Sequence, residues 1–175
     1  LLSPAGNMEK LEVAVAYGAD AVYLGGSRFG LRTAAASFDV EKLQRAVSFA
    51  HAQGVRVYVT VNIFAHNRDI AALPGYLKEL QQLEVDAVIA SDPGVIELAA
   101  QAAPGLPVHL STQANTTNWM SARFWEQRGI KRIVLARELS LDELREISSK
   151  VGLELEVFVH GAMCISYSGR CLLSN

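Results

Sequence analysis

The sequence predicts an α/β fold of the TIM-type (β/α) barrel class, and three observations carry that reading. β-rich runs alternate with amphipathic helical segments along the whole chain. Strands joined by helical crossovers of this length lie parallel, with right-handed connections. The runs start near positions 21, 55, 87, 108, 132 and 154, a recurrence of 21 to 34 residues that suits one strand, one helix and two short loops. No GxGxxG fingerprint is present, which favours a barrel over a doubly wound nucleotide-binding sheet.

Each element has its own local signal. Leu1-Leu2 reads as the remnant of a first strand, and Asn7 caps a helix carrying Leu11, Ala14 and Val15 that stops at Gly18. Ala21 to Gly25 is a buried strand. Asp39 opens a helix with Val40, Leu43, Val47 and Ala50 inward, ended by Gly54. Val55 to Asn62 is the clearest strand, and Pro74 suits the first turn of a helix bearing Leu77, Leu80 and Leu83. Asp86 to Ser91 is a strand, with Asp92-Pro93 capping the helix after it. Pro107 to Thr112 follows as strand, then a helix marked by Trp119, Ala122 and Trp125, then a strand from Arg132 to Ala136. Ser140 and Glu143 form a capping box with Leu139 and Leu144 as its hydrophobic staple, and Leu153 to Val159 is the seventh strand. An eighth strand is expected from residues beyond 175, so the chain reads as one barrel domain, 1–175, truncated before its last strand and helix and belonging to a longer protein.

Bulk composition narrows the class of function. Half of the 175 residues are hydrophobic and 19% are charged, the balance of a folded globular chain. No apolar run reaches the length of a membrane span and no signal peptide is visible, so no membrane partner and a cytoplasmic location are expected. The chain starts at Leu1 and not Met, which implies a trimmed N-terminus. A formal net charge of −2 argues against gripping nucleic acid by bulk charge. HExxH, GxSxG and GxxxxGKS/T arrangements are all missing, so a zinc peptidase, an esterase elbow and a phosphate loop find no support.

In a parallel barrel the working residues sit at the carboxyl ends of the strands. Those ends are polar here: Arg28 and Arg32 after strand two, Asn62 and His66 after strand three, Ser111, Gln113 and Asn115 after strand five, Arg137 and Glu138 after strand six, and His160 after strand seven. Such a mouth suits a small polar or anionic ligand. Asn7, Asp92 and Ser140 read instead as helix caps. Among the other histidines, His51 reads as a surface residue and His109 as a core residue, while for His66 a ligand-binding and a solvated role stand open. Cys164 and Cys171, seven residues apart, could ligate a metal, form a redox pair or remain unreacted.

The stretch from Glu156 resembles the signature of the collagenase-like peptidase family, peptidase U32. The spacing E-x-F-x-x-G-A-x-C-x-x-x-x-G-x-C-x-L-S is met at every position, and LLSPAG, GADAVYLG, HLSTQAN and LARELSL extend the likeness along the chain. The resemblance implies oxygen-independent hydroxylation of RNA, closest to the branch that converts wobble uridine of tRNA to 5-hydroxyuridine with prephenate as hydroxyl source. It also implies a 4Fe-4S cluster in the full-length protein, with Cys164 and Cys171 as two of four ligands. The cluster is not expected to be complete in these 175 residues. On that reading Arg137, Glu138 and His160 are the catalytic candidates. Arg28, Arg32, Asn62, His66, Ser111, Gln113, Asn115 and Tyr167 are the substrate-binding ones, with Arg28, Arg32 or Arg137 pairing with the carboxylates of a prephenate-like donor. The partners implied are tRNA and that donor. The family name keeps a peptidase as the alternative.

Overall fold

The structure is a computed structural model, and it describes residues 1–30, 38–161 and 164–171. They fall into two compact units, residues 1–107 and 108–175.

The first unit runs β1 (Leu2–Pro4), α1 (Met8–Ala16), β2 (Ala21–Gly25), α2 (Val40–Ala52), β3 (Arg56–Thr60), α3 (Asn67–Ile70), α4 (Leu73–Gln82), β4 (Ala87–Ala90) and α5 (Pro93–Ala102). β1 pairs with β2, β2 with β3 and β3 with β4, every pair parallel and in chain order. A doubly wound sheet would reverse its strand order part-way, whereas unbroken chain order is the arrangement that a (β/α) barrel requires. The registers place Val22, Leu24, Val57, Val59 and Val88 on one face of the strands, all at most 2% exposed. Ala21, Tyr58, Ala87 and Ile89 make a second cluster on the opposite face, with Leu2 and Tyr23 against it. Burial on both faces is why β3 and β4 read as continuous apolar runs without alternation.

Helix boundaries follow side-chain chemistry. The carboxylate or amide oxygens of Asn7, Asp39 and Asp92 accept the backbone N–H groups of Lys10, Lys42 and Val95 at 2.9, 2.9 and 3.0 Å, each satisfying a donor the first helical turn leaves open. Leu73, Tyr76, Leu77 and Leu80 form the buried stripe of α4. One expectation changes here, and one element was not expected. Val40 is 41% exposed, because as the first helical residue it sits above the inward stripe that Leu43, Ala46, Val47 and Ala50 make. The short α3 has no apolar periodicity to announce it, being one turn of Asn-Arg-Asp-Ile.

The second unit runs β5 (Val108–Leu110), a single 3-10 turn (Thr112–Ala114), α6 (Trp119–Glu126), β6 (Arg132–Val134), α7 (Leu141–Lys150) and β7 (Glu154–Glu156). β5 pairs with β6 and β6 with β7, again parallel and in chain order. Strands five, six and seven are shorter than their apolar runs predict. Ser111 turns β5 into the 3-10 segment, and the ladder between β6 and β7 closes where Leu135 N–H donates to the Glu156 carbonyl at 2.9 Å. Val157, Phe158 and Val159 lie past that bond and are exposed. The capping box forms as expected: Glu143 N–H donates to Ser140 Oγ, and Ser140 N–H donates to the Glu143 carboxylate at 2.8 Å. His109 is a buried core residue, 6% exposed.

Candidate functional site

Following the strand ends into the second unit leads to one connected network. β6 delivers Arg137 and Glu138 to its carboxyl end, and the segment 164–171 crosses in front of them with no helix or strand of its own. Backbone groups in such a segment must find partners elsewhere. Arg137 supplies them: Nη1 donates to the Cys164 carbonyl at 3.2 Å, Nη2 to the Ser166 carbonyl at 2.7 Å and Nε to Ser168 Oγ at 3.4 Å. Its backbone N–H also donates to Ser168 Oγ, at 3.3 Å. Glu138 answers from the neighbouring position, accepting the Ser168 N–H at 2.9 Å. Ser168 is 2% exposed in a segment whose Ile165 and Tyr167 are open to solvent.

Partial burial pushes the Glu138 carboxyl up, but the Ser168 hydrogen bonds and the Arg137 guanidinium outweigh it and hold it below its ordinary value. The carboxylate is therefore an acceptor at neutral pH. The arginine reaches it at 3.9 Å, with both side chains about one-fifth exposed.

The 3-10 turn after β5 forms the other wall. Ser111, 4% exposed, caps that turn by accepting the Gln113 N–H on its hydroxyl at 3.3 Å. Asn115 closes the turn at φ 49, a left-handed conformation that asparagine tolerates better than most residues. Asn115 Oδ1 and Thr116 Oγ1 are buried and have no hydrogen-bond partner among the described residues. Gly169, at φ +75, packs its backbone against the Gln113 carbonyl, so closely that any Cβ there would overlap it.

The thiols differ in setting. Cys164 is exposed and Cys171 half-buried, and no disulfide joins them. Among the described residues no group of three or more histidine, cysteine, aspartate or glutamate side chains is placed to hold a metal ion. A four-iron cluster takes four thiolates, so the donor set in these residues does not fit a complete cluster.

Of the remaining candidates, Tyr167 belongs to the 164–171 segment itself, His160 precedes it in the second unit, and Arg28, Asn62 and His66 belong to the first unit. His160 is exposed on the segment after β7, and Tyr167 is 57% exposed. In the first unit Arg28 pairs with Glu79 and lies over the Tyr76 ring at 4.7 Å from its centroid, so its guanidinium already faces one carboxylate of the chain. Asn62 is half-buried beyond β3. His66 is exposed and sits before α3, its backbone N–H donating to the Asp69 carboxylate at 2.9 Å. Arg32 lies outside the described residues. Ser168 was not among the sequence candidates, and its burial in the folded chain is what sets it apart.

The model of Peptidase family U32 matches residues 6–175. The chain belongs to peptidase family U32. Among curated relatives, tRNA hydroxylation protein P1 of Bacillus subtilis (strain 168) is 52% identical over 175 residues, covering 100% of this chain and 42% of that protein. The 23S rRNA 5-hydroxycytidine C2501 synthase of Escherichia coli (strain K12) is 38% identical, over 100% of this chain and 26% of that protein. The chain thus spans less than half the length of these curated relatives. The solved U32 peptidase Mk0906 superposes with a TM-score of 0.75 at 20% identity, covering 89% of this chain and 66% of that one, a likeness of fold. It places the U32 chain in the TIM-barrel class that the alternating pattern predicted.

Proposed function

We propose that the full-length protein hydroxylates tRNA, converting wobble uridine to 5-hydroxyuridine without molecular oxygen and with a prephenate-like donor. The observation that carries this reading is the 52% identity across the whole chain to a protein named for tRNA hydroxylation. The more distant rRNA hydroxycytidine synthase supports the coarser statement, RNA hydroxylation. Cys164 and Cys171 would be this chain's contribution to a 4Fe-4S cluster whose other ligands lie elsewhere in the full-length protein. Ser111, Gln113 and Asn115 offer amide and hydroxyl groups at the end of β5, the kind that read a base edge or a polar donor. With a net charge of −2, these residues do not supply the bulk positive surface that RNA binding needs. Other parts of the protein would supply it. No helix among the described residues is long and apolar enough to cross a membrane, and we place the activity in the cytoplasm with the tRNA pool.

Mass spectrometry of tRNA nucleosides tests the reading. Cells lacking the gene, and any duplicate of it, should lose 5-hydroxyuridine derivatives. Wild type should restore them and Cys164→Ala should not. Unchanged tRNA nucleosides would remove the tRNA assignment and turn attention to ribosomal RNA, then to quinone precursors and peptides.

A further inference from the structure

Arg137 and Glu138 carry charge at a strand's carboxyl end, where substrate groups are expected, yet their bonds point inward to the chain itself. We propose that Arg137, Glu138 and Ser168 form a clasp that orders the Cys164–Cys171 loop before any metal binds, making both charged residues positioning residues for the thiols. The inference rests on the reading of those thiols as cluster ligands.

Three independent features support it. The arginine fork spans two carbonyls two residues apart, those of Cys164 and Ser166, and reaches the Ser168 hydroxyl with its remaining nitrogen. A planar guanidinium can do this from one position, whereas an ammonium, a point charge on a flexible stem, cannot. Glu138 holds Ser168 from the other side through its N–H, and that residue is 2% exposed. Gly169 then docks backbone to backbone on the Gln113 carbonyl, in a conformation and at a separation only glycine allows. The loop is thus anchored on both the β5 and β6 ends by groups that need no metal. Its backbone ordering is completed when the chain folds, so metal capture by Cys164 does not have to supply it. With three of its nitrogens engaged by the loop, Arg137 has little left with which to fork a donor carboxylate.

Hydrogen–deuterium exchange and iron analysis of the full-length protein, purified without oxygen, test this directly. After the iron is chelated, wild type should protect the Ser168 amide. Glu138→Ala and Arg137→Lys should each speed exchange across 164–171 at least tenfold while leaving the thermal midpoint within a few degrees. The same variants should lose half or more of the iron and of the visible absorption per chain. Should Arg137→Lys fail to fold, Gly169→Ala attacks the same docking from the β5 side and should show both effects. Wild-type exchange in Glu138→Ala together with either partner variant overturns the clasp. Faster exchange with full iron overturns its link to the thiols. Cys164→Ala separates the two layers: it should lose iron yet keep wild-type exchange in the chelated protein. Iron and colour retained in Cys164→Ala would overturn the cluster reading itself, while the exchange data still decide the clasp.

Discussion

Tyr76 shows what a single residue's surroundings do to its chemistry. Its ring is 4% exposed against α4's neighbours, with Arg28 stacked on one face and Phe29 at a centroid distance of 5.3 Å. Burial pushes its hydroxyl up to about 12, Arg28 opposing and Glu79 reinforcing the shift. The folded state therefore holds the proton more tightly than the unfolded one. That contribution is fully present below pH 10, the ordinary tyrosine value, and is lost as pH rises from there through about 12. Tyrosinate absorbance should include a step displaced toward pH 12, and stability to urea should fall across the same interval. Tyr76→Phe should abolish the late step and flatten that fall. At this scale the sequence was a fair guide to which residues are polar and gathered, and a poor one to what they touch. Arg137 and Arg28 were both legible as candidates, but that one braces a loop and the other a glutamate depends on partners 27 to 51 residues away.

Elements were more legible than residues. Caps are local: Asn7, Asp39, Asp92 and Ser140 each sit three residues before the N–H they accept, so their role is written into the spacing. α7 depends on its cap heavily, because Ile147 is its one fully buried residue and the helix otherwise faces solvent. Ser140→Ala should cost about 1 kcal/mol in urea unfolding. The Glu143 carboxyl is held below its ordinary value by its hydrogen bonds with the Ser140 N–H and hydroxyl. A depressed carboxyl contributes stability above its unfolded value and loses it as pH falls through the folded one. The gap between wild type and Ser140→Ala should accordingly shrink in acid, and a gap independent of pH would show that the box is not made in solution. Strand ends were less legible, since an apolar run continues after its partner has stopped: Val157 to Val159 look like β7 but have left the ladder.

For the whole molecule the decisive fact is that two thiols are not four. The full-length protein, purified without oxygen, should carry iron and acid-labile sulfide at about four of each per chain, as a four-iron cluster requires. Cys164→Ala and Cys171→Ala should each remove most of both, read by colorimetric iron and sulfide assays. A colourless protein with stoichiometric zinc would return the peptidase reading to the front. Strand order, helix caps and the two-thiol signature were determined by the sequence alone, because periodicity, capping and motif spacing are short-range properties of the chain. The tertiary structure alone decided that Arg137 and Glu138 bind the thiol loop, that Ser168 within that loop is buried and that Gly169 must be glycine. Those facts come from groups brought within hydrogen-bond or van der Waals reach by packing β5, β6 and the loop together, and such proximity leaves no pattern in the order of residues.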